Sequence, residues 1–205
     1  MGRFLRAAST LLVVVLLVCS SQAQQKPKSL PQHSAPAPDL GSVSNGVYRN
    51  PTFGFRYRIP YGWVDRTKDL QEGNDAQKGQ VLLAIFERPP QAAGDTINSA
   101  VVIAAENASA YPGLKKAEDY LGPLTELTTS KGFKSEGDPS VIEIDARQLV
   151  RADFTKPRSD KLTMHQSTLV LLAKGQIVSF TFLAGSEDEV NDLIESLHFG
   201  STARR

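Results

Sequence analysis

Asn50-Pro51-Thr52-Phe53-Gly54-Phe55-Arg56-Tyr57-Arg58-Ile59-Pro60-Tyr61-Gly62-Trp63 is the stretch on which the fold turns. Phe53, Phe55, Tyr57 and Ile59 stand at alternate positions, with Gly54, Arg56 and Arg58 between them. A period of two is what a strand needs to bury one face and wet the other. Pro60 lacks the backbone donor that would continue a ladder, and Gly62 supplies a turn that brings the only tryptophan, Trp63, back toward the sheet. The aromatic residues are therefore expected in the core. Arg56 and Arg58, with Tyr61 and Trp63 after them, form a candidate binding surface.

Working outward toward the carboxyl terminus, residues 69–75 read as a polar loop. Residues 80–87 are apolar on both sides and suggest an interior strand ended by Pro89-Pro90, and residues 99–105 suggest another. After Tyr111-Pro112-Gly113 the period changes, since Ala117, Leu121, Leu124 and Thr128 recur at three and four. Gly122-Pro123 implies a kink or two short helices, and Lys131-Gly132 closes the segment. Residues 141–154 alternate, with Ile142, Ile144, Ala146, Val150, Ala152 and Phe154 on one side and Glu143, Asp145, Arg147, Arg151 and Asp153 on the other. Residues 164–172 and 176–183 form a pair split by Ala173-Lys174-Gly175. Ser186 and Glu189 make a capping-box pattern before the stripe Val190, Leu193, Ile194 and Leu197. Six mostly antiparallel strands with helices packed on them give an α+β fold class.

Upstream, Arg3 and Arg6, the apolar run 11–18 and the small-x-small site Ser21-Gln22-Ala23 have the three parts of a signal peptide, predicting cleavage after Ala23 and export to a periplasm or the exterior. The apolar run is short of the roughly 20 residues that span a bilayer. Cys19 is a candidate lipidation site, although Val18 before it is bulkier than such sites prefer. It is the only cysteine, so the processed chain has no thiol and no disulfide framework. Residues 24–45, with Pro27, Pro31, Pro36 and Pro38, read as an extended spacer, 46–200 as one domain and 201–205 as a disordered tail. The formal charge of +1 becomes −1 when Arg3 and Arg6 are lost, which argues against nucleic-acid binding or a polybasic membrane surface. A monomer is expected, with membrane contact only through a lipidated Cys19.

The opening Asn-Pro-x-Phe-Gly-Phe-x-Tyr-x-Ile-Pro-x-Gly-Trp, the helix near Tyr120-Leu121, Gly132-Phe133, the strand Ile177-Val178-Ser179-Phe180-Thr181-Phe182 and the terminal Val-x-x-Leu-Ile-x-Ser-Leu resemble the PsbP-like superfamily. That superfamily includes the extrinsic photosystem II subunit, a Ran-binding nuclear-import factor and many exported bacterial proteins. The resemblance covers roughly 47–199. It implies an antiparallel sheet sandwiched by helices in an α/β/α arrangement, and a non-enzymatic binding or assembly role. The matching positions are core and turn residues. Metal and photosystem contacts of the plant branch match no position here.

Chemistry-bearing motifs are scarce. His33, His165 and His198 are dispersed, which leaves no zinc-ligand spacing, and no EF-hand register occurs around residues 65–75. Gly-x-Ser-x-Gly, phosphate-loop and dinucleotide patterns are missing. No cofactor is expected. Asn107-Ala108-Ser109 fits a glycosylation acceptor. The polar side of the long strand, Asp145, Arg147, Arg151 and Asp153, is the remaining constellation, since residues two apart share a face. Such a face suits a small polar ligand or the charged edge of an envelope protein. The competing reading is a hydrolase-like enzyme in which Asp145 or Asp153 serves as acid or base and Arg147 or Arg151 holds an anion.

Overall fold

In the computed structural model the described residues are 39–72, 79–89 and 95–200. The expected signal segment, Cys19, the spacer through Pro38 and the tail 201–205 lie outside them. Strands β1 (Ser42–Ser44), β2 (Val47–Asn50) and β3 (Phe55–Arg58) come first. They are followed by β4 (Val64–Asp65), helix α1 (Thr67–Glu72), β5 (Gln80–Phe86) and β6 (Ala100–Asn107). A 3-10 turn at Ala117–Tyr120 runs into α2 (Leu121–Ser130). Strands β7 (Lys134–Ile144), β8 (Arg147–Ser159), β9 (Leu162–Ala173) and β10 (Gln176–Ala184) come next, then α3 (Glu187–Glu195) and β11 (Leu197–Phe199).

The strands form two antiparallel sheets, a large one ordered β4-β5-β6-β10-β9-β8-β7 and a small one ordered β1-β2-β3-β11. The fold class is α+β with antiparallel sheets, as the patterning implies, but the large sheet has seven strands where six were expected in all. The alternation in the opening stretch is realised in the burial: Phe53, Phe55 and Tyr57 are buried and Ile59 packs beside them. They meet Phe180 and Phe182 of β10 from across the layer, with Phe55 edge-on to Phe180 at 4.9 Å between ring centroids. Val190 and Leu193 of α3 close the same core. On the opposite face of the large sheet, Tyr120 and Leu124 cover Ala152, Phe154, Val170 and Ile177. Helices thus pack on both faces, and the small sheet adds a second cover on one of them.

Four sequence expectations change. Residues 141–154 are a hairpin and not one strand, because Asp145 and Ala146 take left-handed conformations (φ 47° and 63°) and reverse the chain between β7 and β8. The terminal helix stops at Glu195, one stripe residue early, because β3 has an open edge onto which Leu197, His198 and Phe199 pair as β11. The last part of the expected spacer is folded. The Tyr48 hydroxyl donates to the Leu40 carbonyl (2.7 Å), Asn50 Nδ2 donates to the Asp39 carbonyl (2.8 Å), and Ser42–Ser44 form β1. The expected loop at 69–75 begins as α1, whose Asp69 pairs at 2.6 Å with Arg66 just before the helix. Two expectations are met closely. Pro123 sits in the first turn of α2 after the 3-10 turn, and the Ser186 hydroxyl caps α3 by accepting from the Glu189 amide (3.2 Å). Among the described residues no helix is long and apolar enough to cross a membrane.

Candidate binding surface

The small sheet presents its aromatic residues inward and its charged residues outward. Tyr48, Asn50, Phe55, Tyr57, Leu197 and Phe199 are buried, so the alternate residues Arg49, Arg56, Arg58 and His198 face away from the core. Register places four of the outward residues directly across from one another: Ser42 opposite Arg49, Arg49 opposite Arg56, and Arg56 opposite His198. Arg58 lies two residues along β3 from Arg56 on the same side. Arg49 Nη1 donates only weakly to the carbonyls of Ser44 and Val47 (3.4 Å each), and Arg56 Nη1 donates to the Gly200 carbonyl (3.2 Å). Among the described residues, Arg49, Arg56 and Arg58 have no carboxylate oxygen within 4.0 Å. A shallow depression of about 570 Å³ lies beside the row, with Ser42, Arg49, Pro51, Gly54, Arg56 and Gly200 in its wall.

Asp145 and Arg147, from the tip of the β7–β8 hairpin, come to the end of this sheet. Asp145 Oδ2 accepts from the Phe199 amide and lies against His198 Nδ1, both at 3.1 Å. The Phe199 hydrogen bond is the main reason that the Asp145 carboxyl is held below the ordinary carboxylate range; His198 and Arg56 push in the same direction. The Arg147 guanidinium stands over the Phe199 ring, 5.9 Å from its centroid. Tyr61 is fully exposed in the turn after β3, whereas Trp63 is partly buried and packs against the main core.

Arg151 and Asp153 belong to a different place. Arg147 and Asp153 are six residue steps apart along β8, about 20 Å of extended chain. Arg151 Nε donates to both carboxylate oxygens of Asp153 at 2.9 Å, and its Nη1 donates to Asn191 Oδ1 (3.0 Å). The Ser167 hydroxyl also donates to Asp153. These groups adjoin a cavity of about 180 Å³ that Glu136, His165 and Glu187 also line. The four residues read as one charged strand face are therefore two separate groups, Asp145 and Arg147 at the hairpin turn and Arg151 and Asp153 beyond Leu149, which is buried. Asp145 and Asp153 are too far apart to act on one substrate bond.

A third polar cluster is structural. The hydroxyls of Tyr111 and Tyr120 both donate to the Glu106 carboxylate, the Tyr120 bond at 2.6 Å, and the two rings stack edge to face at 5.1 Å. Burial, reinforced by Glu106, pushes the Tyr111 phenol up to about 12 and the Tyr120 phenol further. Asn107 Oδ1 accepts from the Ser109 amide (3.0 Å), which engages the side chain of the glycosylation pattern in a turn cap. Among the described residues no group of three or more His, Cys, Asp or Glu side chains is placed to hold a metal ion.

Sequence reasoning named Arg56, Arg58, Asp145 and Arg147 but assigned them to two surfaces, and it missed Ser42, Arg49 and His198. Arg49 was legible in principle, because Val47-Tyr48-Arg49-Asn50 alternates in the same phase as the strand after it. His198 was hidden by the helical stripe through Leu197.

No protein-family model and no curated protein matches the chain. Among solved structures, the chain is similar to cyanobacterial PsbP (CyanoP) from Synechocystis sp. PCC 6803, at 14% identity over 78% of this chain and 98% of that one (TM-score 0.47). It is similar to LpqN of Mycobacterium tuberculosis, described as involved in cell envelope biogenesis, at 15% identity over 80% and 87% of the two chains (TM-score 0.42). It is also similar to the Saccharomyces cerevisiae Ran-binding protein Mog1p, at 9% identity over 77% and 96% (TM-score 0.42). The likeness is one of fold.

Proposed function

We propose that this chain is an exported, non-enzymatic binding or assembly module whose contact surface is the outer face of the small sheet. One observation carries the assignment: Arg49, Arg56 and His198 face one another across three strands without carboxylate partners for the arginines. Like charges directly opposite in a sheet destabilise it; Asp145 offsets the His198 end of the row, and the Arg49–Arg56 pair is a cost to the free protein that a bound anion reduces. The same surface gathers four of the sequence candidates, Arg56, Arg58, Asp145 and Arg147, on and beside the small sheet. Asp145 is engaged by the Phe199 amide and His198, and Asp153 by Arg151 and Ser167; neither is a free acid or base. A structural role for the Glu106 cluster fits the same reading. Export rests on the amino-terminal pattern of Arg3, Arg6, the apolar run 11–18 and Ala23. Intact mass of the processed protein checks it, with a start at Gln24 or an acylated Cys19 expected and an unprocessed chain contradicting it.

Affinity capture from an envelope extract tests the surface. The wild type is expected to retain a partner that Arg49→Glu combined with Arg56→Glu loses, with both proteins giving the same near-ultraviolet circular dichroism. Capture that survives the double reversal removes the small sheet as the contact surface.

A further inference from the structure

We infer that two copies of this chain pair edge to edge along the open side of β7, over Ser140 to Ile144, as an antiparallel dimer. The strands at the ends of the two sheets are β1, β11, β4 and β7. The first three are only two or three residues long, which leaves little unpaired backbone. β7 has 11 residues. Its first half is interrupted, since the register to β8 shifts between Glu136 and Ser140, Gly137 is left-handed (φ 66°) and Pro139 lacks a donor. From Ser140 to Ile144 the register is regular, with no proline, glycine, lysine or arginine and with Glu143 as the single charge. Val141 in this half is 57% exposed, the most of any Val, Leu or Ile among the described residues.

The turn fixes which backbone groups point outward. Asp145 and Ala146, both at positive φ, form a two-residue hairpin loop, so Ile144 and Arg147 are a hydrogen-bonded pair. Alternation then turns Ile142 and Ser140 toward β8 as well, and aims the N–H and C=O of Val141 and Glu143 away from the sheet. Among the described residues no backbone group outside the β7–β8 ladder hydrogen-bonds to them. This edge is complementary to itself. With Ile142 opposite Ile142 of the second copy, the Val141 amide donates to the Glu143 carbonyl across the seam and the Glu143 amide to the Val141 carbonyl, and symmetry repeats both bonds. Sliding the pairing one way sets Glu143 opposite Glu143, a like-charge contact. Sliding it the other way sets Glu143 opposite Pro139, which has no N–H to give. The central register also joins the two Ile142 side chains on the face where Ile142 already packs against the main core. A strand of an unrelated protein has no reason to share this register, so the occupant is a second copy. Net charge does not oppose the pairing, because the formal +1 becomes only −1 when Arg3 and Arg6 are lost.

So short a seam makes a small interface, and the dimer is accordingly weak, with a dissociation constant between about 1 μM and about 1 mM. Sedimentation velocity of the processed protein across that range tests it, with monomer expected when dilute and dimer when concentrated. Val141→Lys sets an ammonium on the open edge, and Glu143→Pro removes an outward N–H without touching the ladder to β8. Each is expected to weaken association at least tenfold while keeping the near-ultraviolet circular dichroism of the wild type. Cross-linking checks the register in a Cys19→Ser background, where an introduced thiol is the only one. Oxidation is expected to join Ile142→Cys chains, whose Cα atoms meet at about 4.5 Å across the seam. It is expected to leave Ser140→Cys chains apart, since they stand about 13 Å out of step. The inference is overturned if the wild type stays monomeric at about 1 mM, if association survives both edge substitutions, or if Ser140→Cys cross-links as readily as Ile142→Cys. Envelope capture that Glu143→Pro loses, from a protein that does not self-associate, assigns the edge to a strand of another protein and likewise overturns self-pairing.

Discussion

At the scale of single residues, the turn between β7 and β8 is where local preference and global need diverge. Ala146 is held at φ 63°, a region that costs a side chain with a Cβ about 1 kcal/mol or more. Glycine there relieves the strain but loses more entropy on folding, so Ala146→Gly is expected to stabilise the protein by about 0.5–1 kcal/mol, read as a higher urea midpoint with unchanged slope. Asp145 before it has a second duty, holding the Phe199 amide and His198. Its carboxyl in the folded state lies below its unfolded value, near 3.8. The ionised form therefore contributes stability above that value, and the contribution is lost as pH falls through the folded-state pKa. Asp145→Asn is expected to be less stable than wild type at neutral pH, with the difference closing on acidification. A gap in thermal midpoint that stays constant from pH 7 to pH 2 contradicts this.

At the scale of elements, α3 shows how a short helix is defined from both ends. Ser186 caps its first turn, and Glu187, Asp188 and Glu189 complement the N-terminal dipole. Glu189 also reaches back to accept from the Gly185 amide (3.2 Å) and from the Ser99 hydroxyl, so the cap ties the helix to the strand β6 that follows Ser99. Val190 and Leu193 are its buried anchors. Leu193→Ala is expected to cost about 2–5 kcal/mol, since the cavity opens beside Tyr57, whose hydroxyl donates to the Leu193 carbonyl (3.1 Å). Denaturant unfolding followed by tryptophan fluorescence checks this through Trp63, which packs on the same core. The elements read correctly from sequence were those whose apolar run or alternation continued for several residues, such as β5, β6, β9 and β10. Strands of two or three residues, β1, β4 and β11, carry too few alternations to be distinguished from loop or helix.

At the scale of the molecule, burial of tyrosine links stability to alkaline pH. Tyr48 and Tyr111 are pushed up to about 12, and Tyr57 and Tyr120 higher, mainly by desolvation. Each phenol ionises near 10 in the unfolded chain, so the unfolded state loses protons first and stability falls as pH rises above that point. Native protein is expected to show the phenolate absorbance of these four residues only near pH 12 and above, whereas protein in guanidinium shows it near pH 10. Phenolate signal from any of these four residues near pH 10 in folded protein contradicts the packing described. The small sheet contributes Tyr48 and Tyr57 to this buried set and Arg49 and Arg56 to the outer row, so stability and binding divide between its two faces. The arginine row was not legible as a site because its members lie on β2, β3 and β11, and β11 joins them from almost the far end of the chain.

The sequence by itself determined which residues face inward, because alternation and helical periodicity follow from backbone geometry within a few residues. It determined the α+β class, the cap of α3 and the break at Pro60 for the same reason. Only the tertiary structure decided which outward faces meet. Cross-strand partnership depends on register between segments far apart in the chain, and the pairing of Leu197–Phe199 on the open edge of β3 set His198 beside Arg56 and brought the Asp145 turn to Phe199. Local pattern carries no information about that pairing, which is fixed by burying Leu197 and Phe199 against the shared aromatic core.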